Sequence, residues 1–396
     1  MFADFGAVPL ANRYVRPSEA DRPELLYPLR ALVCGICFLV QLDTLVPPDV
    51  LFGEYAYFSS YSDTLIAAAA DYVRRIVSML GLGPGDAVVE IASNDGYLLQ
   101  YFAGTGVTVL GIEPAANVAR AAVARAILTD NRFFGAETAD DLVRRGQRPR
   151  LVVANNVLAH VPDPHDFAEG LRRLLAPGGL ITIEFHHLLE LVRQGQFDAI
   201  YHEHFQYYSL AAAQRLLRTH GLIVVDVERL PLQGGSLRVF VRHAADAGAR
   251  DAPRVSAVLE QEDAGGLRRL ETYRHFVTQM IQKRLALLSF LSDARRAGEA
   301  VVGYGAAAKG ATLLNYCGVR TELVQYVVDR NPVKQGMLMP GSRIPIFAPA
   351  RVFETRPAWL LVLPWNLRDE IVAQMSAIRA WGGRFVVPLP DLQVLE

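Results

Sequence analysis

The stretch that most limits the fold runs from Ala87 to Glu113. Ala87-Val88-Val89-Glu90-Ile91-Ala92 is apolar and β-branched apart from one acid, and it follows the turn Gly83-Pro84-Gly85-Asp86, so it reads as a buried strand. It opens into Ser93-Asn94-Asp95-Gly96. A helix is expected from about Tyr97, and a second strand, Thr108–Ile112, ends in Glu113. Strand, small-residue turn, helix and acid-ended strand make a parallel nucleotide-binding unit, in which the acid can hold both hydroxyls of a ribose.

The loop after the first strand departs from the GxGxxG form that a pyrophosphate requires. Ala92-Ser93-Asn94-Asp95-Gly96 has a single glycine, and Glu90 and Asp95 would repel phosphate and favour a cation. A ligand with a ribose, an amino-acid ammonium and no phosphate suits such a loop, which points to S-adenosylmethionine. The βα pattern continues through Leu151–Ala154, which ends at Asn155-Asn156, and Leu180–Phe185, which ends at His186-His187. A helix (Ala211–His220) and strands Leu222–Val227 and Leu237–Val241 follow, giving seven strands with an antiparallel end. Ligands of open parallel sheets lie at the carboxyl ends of the strands, so Asn94, Glu113, His160, His186 and His187 are expected on one rim.

The chain is long enough, at 396 residues, for two or three domains, and a second α/β unit is expected from Ala300. Gly303-Tyr304-Gly305-Ala306-Ala307-Ala308 is a GxGxxA turn after a strand, and Asp329 ends the next strand. Taken alone it is a better dinucleotide fingerprint than the first loop, although small residues also serve tight helix-on-sheet packing. Lys309 and Lys334 near its rim could face a diphosphate. Between the two units, Ala244 to Arg254 reads as a boundary, followed by a helical stretch to about Arg296 broken at Gly265-Gly266.

Chemistry concentrates in Tyr201-His202-Glu203-His204-Phe205. If extended, the run sends His202 and His204 to one side and Tyr201 and Glu203 to the other. If helical, Tyr201 and His204 share a face. Either way one imidazole can take a proton beside a carboxylate or phenol that holds it, while the plainer reading is a pair of surface histidines. Leu51 to Asp63 mixes Tyr55, Tyr57, Phe58 and Tyr61 with Ser59, Ser60 and Ser62, a set equally suited to a core or to a sugar or nucleotide pocket. Cys34-Gly35-Ile36-Cys37 looks like half of a zinc knuckle, but residues 1–33 hold no second pair, so the zinc site is incomplete. A net charge of −1 without a basic stripe disfavours nucleic acid, no apolar run approaches a membrane span, and the N-terminus has no export signal, so a cytoplasmic protein is expected.

Several stretches together resemble the S-adenosylmethionine-dependent C-methyltransferases of nucleotide-linked deoxysugars: EIASNDGYLLQ (90–100), GIEPAANVA (111–119), NNVLAHVPD (155–163), QFDAIYHEHF (196–205), GGSLRV (234–239), GYGAAAKG (303–310) and VVDRNPVKQG (327–336). The resemblance implies an N-terminal zinc-binding-type lobe (1–50), a class I methyltransferase domain (51–245) and a C-terminal Rossmann-like domain (246–396) that helps hold the sugar nucleotide. The family's first CxxC is missing, as if the chain began late.

Carried over by position, the resemblance makes His204 the general base, with Tyr201 and Glu203 beside it and His160 and Tyr55 lining the sugar pocket. Glu90, Ala92, Asn94, Asp95, Gly96, Glu113, Pro114, Asn155 and Asn156 are the expected cofactor contacts. Tyr57, Ser59, Tyr61, His187, Lys309 and Lys334 are the expected substrate contacts, and Cys34 and Cys37 the half zinc site. The expected reaction removes the C3 proton beside a C4 ketone and methylates the enolate, with Glu203 fixing the His204 tautomer. Methylation at C5, O- or N-methylation and NAD-dependent oxidoreduction are the rival readings, and a monomer is expected.

Overall fold

The computed structural model of the protein describes residues 1–53, 55–246 and 252–395. Its strands, in chain order, are β1 (Ala3–Val8), β2 (Tyr27–Val33), β3 (Val40–Leu42), β4 (Ala87–Ile91), β5 (Thr108–Ile112), β6 (Thr129–Asp130), β7 (Leu151–Asn155), β8 (Leu180–His186), β9 (Gln206–Tyr207), β10 (Leu222–Leu230), β11 (Ser236–His243), β12 (Val301–Tyr304), β13 (Val327–Val328), β14 (Ile346–Phe347), β15 (Trp359–Val362), β16 (Arg384–Val387) and β17 (Gln393–Leu395). They form three sheets.

The central sheet has the order β10-β11-β8-β7-β4-β5-β6, parallel except that β11 runs against both its neighbours. This is the class I methyltransferase sheet with its antiparallel end. Strand β7 is buried along Leu151–Ala154, as expected of a parallel strand covered on both faces. The helix Asp63–Leu80 packs onto it through Ala69, Tyr72, Val73 and Ile76, at the i, i+3, i+4, i+7 spacing of one helical face. Ser62 caps that helix by accepting from the Leu65 amide, and Gly81 ends it at φ +58°.

Strand β4 is followed by a 3-10 turn, Leu99–Phe102, rather than the expected helix from Tyr97. Leu98, Leu99 and Phe102 are all buried within that short segment, and Gly104 and Gly106 take positive φ just beyond it, which stops propagation.

The C-terminal sheet, β14-β13-β12-β15-β16-β17, is parallel up to β16, with β17 antiparallel at its edge. Helices Pro253–Ala264 and Leu270–Arg296 lead into it, separated near Gly265-Gly266 as read from the sequence. Residues 247–251 of the expected boundary lie outside the described residues. The longer helix buries Tyr273, Phe276, Met280, Leu287 and Leu291. Phe2 stacks on Phe276 at 4.4 Å between centroids, so one apolar core joins the N-terminal strands, this helix and the C-terminal sheet.

The N-terminal sheet is β1-β2-β3-β9, and its last strand comes from far along the chain. Val40 pairs with Tyr207 and Gln41 with Gln206, while the Leu42 amide donates to the Phe205 carbonyl. The segment after Tyr201–His204 is thereby fastened to the N-terminal lobe. Cys34 and Cys37 sit at the tip of the β2–β3 hairpin, closed by backbone bonds from Phe38 to Cys34 and from Cys34 to Leu39. Among the described residues no helix is long and apolar enough to cross a membrane.

Candidate active site

A cavity of about 640 Å³ opens between the carboxyl ends of the central strands, the 52–65 segment and the C-terminal sheet. That volume lies in the ~300–1,000 Å³ range of small-molecule sites. Its walls include Tyr201, His204, His160, Tyr55, Tyr57, Ser59, Tyr61, Ala92, Asn94, Glu113, Pro114, Asn155, Asn156, Lys309 and Lys334, so most of the residues singled out in the sequence converge there.

Tyr201-His202-Glu203-His204 is a turn, closed by the His204 amide donating to the Tyr201 carbonyl. The two rings are therefore brought together at i,i+3, and the extended alternation does not occur. Tyr201 Oη lies 2.7 Å from His204 Nε2, and His204 Nδ1 lies 2.8 Å from the Ala199 carbonyl. A carbonyl only accepts, so Nδ1 carries the proton, Nε2 keeps its lone pair and the phenol donates to it. Burial, reinforced by His160, holds the His204 imidazole well below its usual range, so it is neutral near pH 7. The His160 ring stands edge-on 4.8 Å from it, and burial pushes His160 down to about 4.

Glu203 does not touch His204. Its two oxygens accept from Asn12 Nδ2 at 2.8 and 3.0 Å, and Oε2 accepts from the Tyr55 hydroxyl at 2.9 Å. The turn sends adjacent side chains to different sides, so the Ala199 carbonyl fixes the His204 tautomer in place of the expected carboxylate. Burial pushes Glu203 up to about 7, against the opposing pull of Asn12 and Tyr55. His202 points towards the N-terminal lobe, with Nε2 at 3.3 Å from the Tyr27 carbonyl.

At the cofactor rim, Ala92 and Asn94 both have positive φ, which turns the loop tightly after β4. Asn94 is held by its neighbours: its side chain accepts from the Ser59 amide at 2.8 Å and donates to the Tyr57 carbonyl at 3.2 Å. Glu113 accepts from the Asn94 and Ala115 amides at 3.0 and 2.8 Å, and burial outweighs those bonds to raise it to about 7. Asp95 is fully buried with Arg125 at 3.1 Å. Glu90 is buried behind the loop, and burial together with Glu113 and Asp95 raises it well above the carboxylate range. Gly96 packs on Ile127, where a Cβ would meet the side chain at 2.9 Å.

His187 does not reach the cavity. It is buried against Glu262 at 2.8 Å, and that carboxylate also accepts from the Leu210 and Ala211 amides, so the pair ties the start of helix Leu210–Thr219 to helix Pro253–Ala264. Its neighbour His186 is the one that lines the wall, because successive residues of a strand end face opposite ways. Lys309 donates to the Gln233 carbonyl at 2.9 Å and lies over the Trp365 ring at 5.0 Å. Lys334 donates to the Ala306 carbonyl at 2.8 Å, near Asp329 at 3.7 Å. Trp365 Nε1 in turn donates to buried Asp198 at 2.7 Å. Asn12, Asp198 and Trp365 were not singled out from the sequence: each is a lone polar or aromatic residue whose partner lies more than a hundred residues away, and no local pattern marks it.

Three family models tile the chain: one described as a zinc binding domain over residues 1–52, a methyltransferase domain over 63–227 and a C-methyltransferase C-terminal domain over 231–390. The chain is 38% identical to the C-methyltransferase NovU of Streptomyces niveus over 392 residues, 99% of this chain and 93% of that protein. The chain belongs to the S-adenosylmethionine-dependent C-methyltransferase family. An uncharacterized methyltransferase of Mycobacterium leprae is 29% identical over 37% of this chain and 56% of its own length. Magnesium protoporphyrin IX methyltransferase from Synechocystis, solved with S-adenosylmethionine, aligns over 45% of this chain and 81% of its own at 16% identity and a TM-score of 0.35, too distant to argue from.

The residues present fit S-adenosylmethionine. Glu113 ends β5 at the cavity wall as a ribose acceptor would, and Asn155 Oδ1, in the same wall, is buried without a hydrogen-bond partner. They do not fit a closed zinc site. Among the described residues no group of three or more His, Cys, Asp or Glu side chains could hold a metal, and Cys34 and Cys37 supply only half a tetrahedron.

Proposed function

We propose that the chain methylates C3 of a nucleotide-linked 4-keto-6-deoxysugar, through an enolate formed by His204 acting as general base. The observation that carries this reading is the locked imidazole: Ala199 holds Nδ1–H, so the lone pair of Nε2 belongs to the cavity wall beside a phenol. A proton alpha to a ketone needs both a base at carbon and a donor at oxygen. Tyr201 exchanges its hydrogen bond to Nε2 for one to the ketone oxygen, which frees the base and stabilises the developing enolate with the same hydroxyl. His204 takes the C3 proton on Nε2, and the charge moves into the enolate. S-adenosylmethionine, which Glu113 and the 92–96 loop would hold, would supply the methyl group from its sulfonium: the S–CH3 bond would break as the C3–CH3 bond forms, leaving S-adenosylhomocysteine and the re-formed ketone. His204 then returns its proton to solvent.

Lys309, in the first turn of helix Ala308–Cys317 after β12, and Lys334, in the loop after β13, favour an anionic substrate at the C-terminal wall, which suits a diphosphate. The ring faces of Tyr55 and Tyr57 and the hydroxyls of the 55–62 segment suit a sugar. The test is a nucleotide-linked 4-keto-6-deoxysugar in D₂O without methyl donor, followed by proton NMR. Enzyme-dependent loss of the C3–H signal is expected. Loss of the C5–H signal would move the reaction to C5, and no exchange with S-adenosylhomocysteine present would remove the enolate from the mechanism.

A further inference from the structure

The N-terminal lobe contributes Asn12, Pro48, Asp49 and Phe52 to the cavity wall, and of these Asn12 bonds directly to the Tyr201–His204 turn. Asn12 lines the cavity and lies 191 residues from its partner Glu203. Among the described residues its amide alone reaches both Glu203 oxygens, at 2.8 and 3.0 Å, while Tyr55 reaches one. Behind the amide, the Tyr14 hydroxyl lies 3.3 Å from Asn12 Oδ1 and close to the Ala306 carbonyl in the GxGxxA turn, its single proton serving one of these acceptors at a time. The amide therefore has one orientation, with NH₂ on the carboxylate and the carbonyl on the phenol.

We propose that Asn12 is a positioning residue of the methyl transfer, whose amide grips both oxygens of Glu203 so that the carboxylate can fix the Tyr55 hydroxyl in the cavity wall. The proposal rests on the enolate reading above for what Tyr55 does, but its central claim concerns Glu203 alone. Glu203 is 3% exposed, and among the described residues no cation forms an ion pair with it; Lys334 is the positive charge that favours its ionised form from a distance, and Tyr14, Tyr55 and Tyr201 are the titratable phenols around it. A carboxylate in that setting takes up a proton unless donors favour its charged form. With Asn12 in place the carboxyl sits at about 7, poised between forms. Removing a charge-favouring donor moves it up, never down. At neutral pH Glu203 would then be largely protonated, and the Tyr55 hydroxyl would exchange its charge-assisted bond for a weaker one to a neutral acid that can itself donate, so the phenol would be held less firmly.

The test uses the full chain carrying ¹³C at glutamate Cδ, with Glu203 assigned by the resonance that vanishes in Glu203→Gln. Asn12→Asp keeps the volume of the side chain but cannot donate when ionised, and Asn12→Ala removes the group. Both are expected to raise the Glu203 midpoint by about one pH unit or more, the scale on which such bonds act on a carboxylate. With a 4-keto sugar nucleotide as substrate, the acid limb of kcat is expected to move up in step, so that both variants are slow at pH 7 and recover at higher pH. A midpoint unmoved in Asn12→Asp overturns the proposal. So does a KM that rises for the sugar while the kcat profile stays in place, because Asn12 would then be a substrate contact. If the unsubstituted enzyme itself shows no enolate exchange, the reaction assignment fails, and the NMR titration still decides the role of Asn12.

Discussion

His204 owes its tautomer to a backbone carbonyl and its nearest phenol to a turn of four residues, and both follow from local geometry. Replacing it by Asn keeps a polar side chain of smaller size and removes the Nε2 lone pair that the proposed proton abstraction uses. Turnover is expected to fall by ~10²–10⁴, the usual cost of a lost general base, with S-adenosylhomocysteine affinity unchanged by calorimetry. A parallel loss of ligand binding would show that the wall had collapsed. Glu113 gives a second test. Its carboxyl is raised to about 7, chiefly by burial, so it gains a proton as pH falls through 7 and loses acceptor capacity towards a ribose. The dissociation constant for S-adenosylhomocysteine is therefore expected to rise on the acid side of pH 7, and Glu113→Gln should be weak and flat across the same range. A pH-independent affinity in the unsubstituted protein would remove Glu113 from the ribose site.

The elements explain why part of the site was legible in the sequence and part was not. The β4 loop, Glu113, Asn155 and the GxGxxA turn were readable because strand ends in a parallel sheet converge by topology. The Tyr201–His204 contact was one of two periodicities the sequence left open, and a turn selected it. Glu203 differs from its expected role because residues adjacent in a turn point to different sides, and His187 because a strand end presents only alternate residues to the cavity. The fourth strand of the N-terminal sheet, β9, has no local signature at all; pairing with β3 creates it. That pairing ties the lobe down through backbone hydrogen bonds, and Cys34 and Cys37 supply only two of the four ligands of a zinc tetrahedron. Chelator is accordingly expected to leave the melting temperature of this chain unchanged, and Cys34→Ser with Cys37→Ser to shift stability by no more than about 0.5 kcal/mol, as for a surface change. A chelator-induced drop would reveal ligands beyond the two thiols. In the connection between β10 and β11, Gly234 takes φ +94°, and a Cβ there would lie 2.5 Å from the Trp365 ring. Gly234→Ala should cost about 1–3 kcal/mol by overpacking, read as a lower melting temperature, unless Trp365 moves without loss.

Across the whole molecule, the 56–64 segment is held from both sides of the cavity. The Ala56 carbonyl accepts from Asn331 of the C-terminal domain at 2.9 Å, while the Tyr57 carbonyl and the Ser59 amide bond to Asn94 on the cofactor loop. A little further on, Glu370 accepts from the Thr64 hydroxyl at 2.6 Å and the Thr64 amide at 3.1 Å, and Arg330 pairs with Asp63 at 2.9 Å. A segment that must be ordered for either ligand to find its wall is ordered once for both, so the first ligand bound lowers the cost of the second. Positive coupling between S-adenosylhomocysteine and a nucleotide sugar is therefore expected, on the order of the 5–150-fold typical of linked sites. Glu370→Leu removes the Thr64 contacts without touching Asn94, so it should reduce that factor while leaving S-adenosylhomocysteine affinity alone nearly intact. Calorimetric titration of each ligand with and without the other measures the coupling in both directions, and linkage requires the two factors to agree. Equal affinities with and without the partner would mean that the segment is already rigid, and that the two walls of the cavity act independently.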